Sequence, residues 1–111
     1  MTYAKTDLFD ATLQTTASFF KVLSHPARLA ILKFLAESKT CISGDISNEI
    51  PLGRTTVNQH IKELKEIGLI KGNIEGVKIN YCLDKNNLNK MKKLIGEYLD
   101  QLHYSEIQKC N

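Results

Sequence analysis

The stretch "LGRTTVNQHIKELKEIGLI", residues 52–70, gathers Arg54, Thr55, Thr56, Asn58, Gln59, His60 and Lys62, with no acid before Glu63. Hydroxyls, carboxamides, an imidazole and cations in this density are suited to recognition rather than bond breaking. Carboxamides bond two-pronged to adenine edges and arginine to guanine, while threonine offers a hydroxyl or a methyl to thymine. Cations neutralise phosphates. The chemistry that fits is the reading of duplex DNA.

Such a reading needs a rigid helix. At about 100° per residue, Val57, Ile61, Leu64 and Ile67 fall on one side as a core-facing stripe. Thr55, Gln59 and Lys62 lie opposite, flanked by Thr56 and Asn58. The spacing predicts a helix over Arg54–Ile67 that Gly68 ends, as helix-terminal glycines commonly do. An ordinary amphipathic helix has the same stripe, so context decides. "SGDISNEI" reads as a brief preceding helix with Ser43 as its cap, stopped before Pro51, and "PLG" makes the turn. A short helix, a turn and a second helix with an acid-poor start form the helix-turn-helix layout, which puts the second helix in a major groove. We assign residues 43–67 to it.

After Gly68 the period changes. Leu69–Ile74 and Val77–Leu83 are β-prone runs joined around Glu75-Gly76, a hairpin over 69–83. Lys71 and Lys78 sit on its two arms, either as backbone contacts beside the recognition helix or as solvated lysines of a structural hairpin. Upstream, Asp7–Leu23 has helical apolar spacing through Leu8, Leu13 and Phe20. Pro26 suits the first position of the next helix, with His25 as its cap, and Lys39–Ile42 could extend as one small strand. Downstream, Asn87–Ile107 is helical, with Met91, Leu94, Tyr98 and Leu102 along one side. The expected fold is mainly α with a small β-hairpin, a single winged helix-turn-helix domain over 1–111.

The bulk numbers agree. The 111 residues carry a formal charge of +3 that is unevenly placed. Residues 54–93 hold nine basic against four acidic side chains, whereas 1–53 balance five against five. That is the electrostatic footprint of a polyanion partner. No apolar run approaches the roughly 18 residues of a membrane span, and Met1–Asp10 does not read as a secretory signal. Three cysteines, Cys41, Cys82 and Cys110, do not make a disulfide framework, and a reducing cytoplasm is the expected location. No Gly-rich phosphate loop, paired His–carboxylate motif or nucleophile elbow is present, so no enzyme activity is expected. The competing class is a winged-helix module that binds protein instead of DNA, against which the basic bias of 54–93 argues.

Three segments, "FKVLSHPARLAILKFLAE", "DISNEIPLGRTTVNQHIKELKEIGLIKG" and "IEGVKINYCL", together resemble the ArsR/SmtB family of bacterial winged-helix repressors over residues 17–83. The resemblance implies a homodimer with one recognition helix per operator half-site, and repression relieved by an inducer. It puts the dimer interface on the first and last helices, here 7–23 and 87–107. The last helix carries more apolar surface than a small domain covers, which favours association; packing on its own core alone is the alternative. Many members bind a metal or arsenite through a cysteine pair near the third helix, but in "TCISGDI" Ser43 replaces the second thiol, a poor ligand for a soft ion. A second family site on the last helix is half present in His103 and Glu106, while Lys90 and Lys92 stand where ligands would. No cofactor is therefore certain. In a winged helix the short strand pairs with the hairpin's return strand, which would bring Cys41 near Cys82. The pair could hold a thiophilic metal or metalloid, switch by oxidation, or serve as small buried hydrophobes.

Overall fold

Asp10 starts the first helix: its Oδ1 accepts from the Leu13 amide at 3.0 Å, a side-chain N-cap. In the computed structural model, which describes residues 8–38, 41–43, 50–75 and 78–104, that cap fixes α1 as Ala11–Val22. It is shorter than the apolar spacing predicts, because Leu8 and Phe9 precede the cap and continue the periodic pattern without joining the helix. His25 caps α2, Pro26–Glu37, through Nδ1, which accepts from the Ala27 amide at 3.0 Å, as expected. The remaining elements are β1 (Ile42–Ser43), α3 (Arg54–Glu66), β2 (Ile70–Glu75), β3 (Lys78–Leu83) and α4 (Lys85–Asp100). The brief helix expected before Pro51 falls on 44–49, outside the described residues, and Ser43, its expected cap, closes β1.

The strands form one antiparallel sheet in the order β1-β3-β2. Ile70 pairs with Leu83 and Gly72 with Tyr81; Ile70 and Tyr81 are buried. They belong to one apolar cluster that unites the four described helices with the sheet. Phe19 and Val22 enter it from α1, Ile31, Leu32 and Leu35 from α2, Val57, Ile61 and Leu64 from α3, and Met91 from α4. Val57, Leu64 and Leu69 are wholly buried, and each such side chain contributes about 1.5–3 kcal/mol.

A polar clamp joins the end of α3 to the start of α4. The Asp84 amide donates to the Leu69 carbonyl at 2.9 Å, Asp84 Oδ1 caps α4 by accepting from the Asn87 amide, and Asn87 Nδ2 donates to the Gly68 carbonyl at 3.0 Å. Capping by Asp84 starts α4 two residues before the expected Asn87, and the helix ends at Asp100. Leu102 therefore lies beyond the helix, where its spacing had suggested another turn. No helix among the described residues is long and apolar enough to cross a membrane.

Gly68 turns the chain from α3 toward β2 with φ at 87°, a region in which an L side chain costs about 1–2 kcal/mol. A Cβ there would also meet Asn87 Nδ2 at 2.7 Å. Gly68→Ala should lower the urea midpoint by an equivalent of at least that cost; an unchanged midpoint would show that the turn does not need glycine.

Candidate nucleic-acid interface

The face of α3 opposite its buried stripe is polar and open. Arg54, Thr55, Thr56, Asn58, Gln59 and Lys62 are all exposed. Thr55, Gln59 and Lys62 stand at i, i+4 and i+7, one strip along the helix. No side chain caps α3 at Gly53, and no acid stands in its first turn, so the positive end of the helix dipole faces outward, as phosphate binding requires.

His60, expected on the DNA-binding surface but near the core edge of α3, where it either packs or touches backbone, packs: it is only 8% exposed, which removes it from the DNA-facing set. Its Nδ1 accepts from Arg28 Nε at 3.1 Å. Arg28 also pairs with the Glu63 carboxylate and donates to the Val22 carbonyl. Burial, then His25, then Arg28 lower the His60 pKa below the ordinary histidine value. Sequence reading missed Arg28 and Glu63 as partners. The available signal was the position of His60 inside the Val57–Ile61–Leu64 stripe, where a polar ring needs a buried partner.

The two wing lysines sit at opposite ends of the hairpin. Register places Lys78 opposite Glu75 at the turn end, and Lys71 opposite Cys82 at the foot. Cys41 follows in the same register beside β3, and it is joined to Cys82 by a disulfide with the Cα atoms 4.6 Å apart. The two cysteines are thus neighbours, as the strand pairing of a winged helix implies, and of the expected roles that of small buried hydrophobes is corrected, because Cys41 is exposed and Cys82 only half-buried. The disulfide lies on a cavity of about 700 Å³ whose walls include Lys71, Asp84 and Lys85. Among the described residues no group of three or more His, Cys, Asp or Glu could hold a metal ion. Lys90, Lys92 and His103 are exposed, while Glu106 and Cys110 lie outside the described residues.

The expected interface residues divide. Leu8 (82% exposed), Leu13, Phe20 and Leu102 (57%) leave apolar surface open. Leu94 and Tyr98 are half-buried, and Tyr98 meets Phe20 edge-on with centroids 5.8 Å apart. Met91 is a correction: it is buried in its own protomer's core. Phe9, Leu99 and Tyr104 add exposed apolar surface to the same two helices and their ends.

Helix-turn-helix proteins share this geometry, and the comparisons agree. Residues 23–73 match the helix-turn-helix domain family. The chain is 31% identical over 84 residues to an HTH-type transcriptional regulator of Methanocaldococcus jannaschii, covering 76% of this chain and 94% of that protein. It is 32% identical over 89 residues to a cadmium resistance transcriptional regulatory protein CadC homolog of Staphylococcus aureus, covering 79% and 73%. The solved structure of an ArsR-like transcriptional regulator from Rhodococcus sp. RHA1 superposes with a TM-score of 0.63 at 26% identity, over 83% of this chain and 89% of that one. Fold and site together define a winged-helix, DNA-binding regulator of transcription. The chain belongs to the ArsR/SmtB family, whose members are regulators and not enzymes.

If Gln59 reads a base, Gln59→Ala should weaken binding to a duplex selected from a randomised pool by about 1–3 kcal/mol and spare random duplex. Lys78→Ala should weaken both and flatten the salt dependence by about one unit of slope. Equal losses on both duplexes for the Gln59 variant would reassign it to backbone contact.

Proposed function

We propose that the chain is a cytoplasmic, homodimeric repressor that reads operator half-sites with the outward strip of α3. The exposed strip Thr55–Gln59–Lys62 opposite the buried stripe of Val57, Ile61 and Leu64 carries this reading, since burial leaves α3 only that face to present. The open apolar surface on α1 and around the end of α4 supports a second copy as its cover. A groove of about 700 Å³ along α1, lined by Phe9, Leu13, Phe20 and Tyr98 among others, continues that surface. Two α3 helices related by a two-fold axis would meet half-sites about one helical turn apart.

The inducer reading is redox. Reduced, the Cys41 and Cys82 thiols would share their cavity with Lys71 and Lys85 and with Asp84, whose carboxylate already caps α4, so that cations outnumber the acid there, which favours thiolate and opposes capture of a thiophilic cation. With hydrogen peroxide, the two thiols give up two protons and two electrons, the S–S bond forms, the O–O bond breaks, and the peroxide leaves as two waters. The bond closes a chain segment of 41 residues' separation that contains all of α3 and β2, so the oxidation state sets how firmly the reading unit is tied.

Two results test this. Leu13→Glu should shift sedimentation from dimer to monomer and abolish tight binding to the selected duplex; a variant that stays dimeric would move the interface elsewhere. Wild type treated with peroxide or with dithiothreitol should differ in affinity for that duplex by about fivefold or more, the usual size of coupling between sites. Cys41→Ser and Cys82→Ser should each remove the difference. Equal affinities for both forms of the wild type would leave the disulfide structural, and failure to select any sequence would end the repressor reading.

A further inference from the structure

We propose that Arg28 is a positioning residue for α3, acting through Nδ1 of His60, and that protonation of His60 releases this hold and lowers sequence-selective DNA binding. The inference rests on the reading of α3 as the recognition helix and adds to it a residue and a control that lie off the DNA-facing strip.

One guanidinium spans three elements. Arg28 in α2 donates from Nε to His60 Nδ1 at 3.1 Å and from a terminal nitrogen to the carbonyl of Val22, the last residue of α1, at 3.4 Å. Its other terminal nitrogen meets the Glu63 carboxylate. His60 and Glu63 are three residues apart on α3, so both contacts lie on one side of that helix. The apolar stripe alone tolerates small shifts along its axis; a planar fork bonded to two points on α3 does not.

The arrangement works only with His60 neutral. Arginine stays protonated and can only donate, so Nδ1 must be a bare acceptor and the ring proton must sit on Nε2. A proton on Nδ1 would set donor against donor and cation against cation. The His25 ring lies 4.3 Å away, centroid to centroid, with its own Nδ1 committed to the Ala27 amide. Among the described residues, the other charged groups at this corner are Lys21 from α1 and Glu63 and Glu66 from α3, which line the adjoining cleft with Arg28. Glu63 is already engaged by Arg28, so no unengaged carboxylate bonds to the His60 ring among the described contacts.

The sign follows from burial. His60 titrates below the ordinary histidine value in the folded chain, so between the two values the unfolded chain holds the extra proton. The contact is complete above the ordinary histidine range, near pH 6.5, and is lost as the pH falls through the lowered value. Plain electrostatics runs the other way, since added positive charge strengthens binding to any duplex. Base contacts depend on where α3 sits, whereas phosphate contacts tolerate displacement, so the ratio of selected to random duplex binding isolates the positioning effect.

The test measures that ratio for the full chain, with a duplex selected from a randomised pool and with random duplex, at about pH 7.5 and at a pH below the lowered His60 value, which NMR titration of the ring locates. For wild type the ratio should fall about fivefold or more on acidification. His60→Asn, which keeps an acceptor oxygen near the place of Nδ1 but cannot titrate, should hold its ratio at both pH values. Arg28→Lys should have a reduced ratio already at the higher pH. In the free protein, nitrogen NMR of the imidazole should show the Nε2–H tautomer of His60 in wild type and a mixture in Arg28→Lys. A wild-type pH profile retained by His60→Asn, or a ratio and tautomer unchanged in Arg28→Lys, would overturn the proposal. If no duplex is selected, the recognition-helix reading falls by itself, and the tautomer and titration of His60 still decide whether Arg28 holds the ring.

Discussion

The burial of one stripe of α3 governs the rest. Val57, Ile61 and Leu64 enter the core between α2 and β2, and together they are worth several kcal/mol at about 1.5–3 kcal/mol for each side chain. Turning the helix by a single residue, about 100°, would bring much of that surface back to water. Rotation about the helix axis is therefore settled by hydrophobic burial, and Thr55, Gln59 and Lys62 face outward as a consequence. Position along and across the stripe is a finer matter that apolar contact leaves softer. Polar contacts define it: Arg28 on one flank, and the Gly68–Asn87–Asp84 clamp at the C-terminal end.

The same division explains what could be read from sequence. The α3 stripe, the hairpin and the His25–Pro26 helix opening all came from signals within a few residues, where period and capping chemistry are local. The helix ends were less legible, because apolar residues at Leu8, Phe9 and Leu102 continue a helical period after the backbone has left the helix. At the starts, Asp10 and Asp84 decide by hydrogen bonding, and a short acid in sequence does not announce which amide it will cap. Met91 lies in its own core rather than at the expected interface for a related reason: an apolar face shows that a side is buried without showing whether its own core or a partner buries it.

The contacts least visible in sequence are those between distant residues. Arg28 and His60 are 32 positions apart, and Cys41 and Cys82 are 41 apart. No periodicity links such pairs. For His60 a trace existed, since an imidazole within an apolar stripe must find a partner, yet the trace names no partner. For the cysteines the strand order supplied proximity, and only the sheet register brings the two Cα atoms to 4.6 Å.

These distant polar contacts differ from the core in one physical respect. Burial of aliphatic surface responds to neither protons nor electrons over the ordinary range, so the stripe that orients α3 is indifferent to solution conditions. The Arg28–His60 bond can be broken by one proton, and the Cys41–Cys82 bond by two electrons and two protons. In the loop-entropy view, closing a segment of this separation reduces unfolded-chain freedom by about 4 kcal/mol, enough to alter how tightly the reading unit is held without changing which face it shows. On the reading proposed above, the outward face of α3 stays the same whatever the solution conditions, and the Arg28–His60 bond and the Cys41–Cys82 bond, unlike the core stripe and the Gly68–Asn87–Asp84 clamp, are the contacts that protons and electrons can reach.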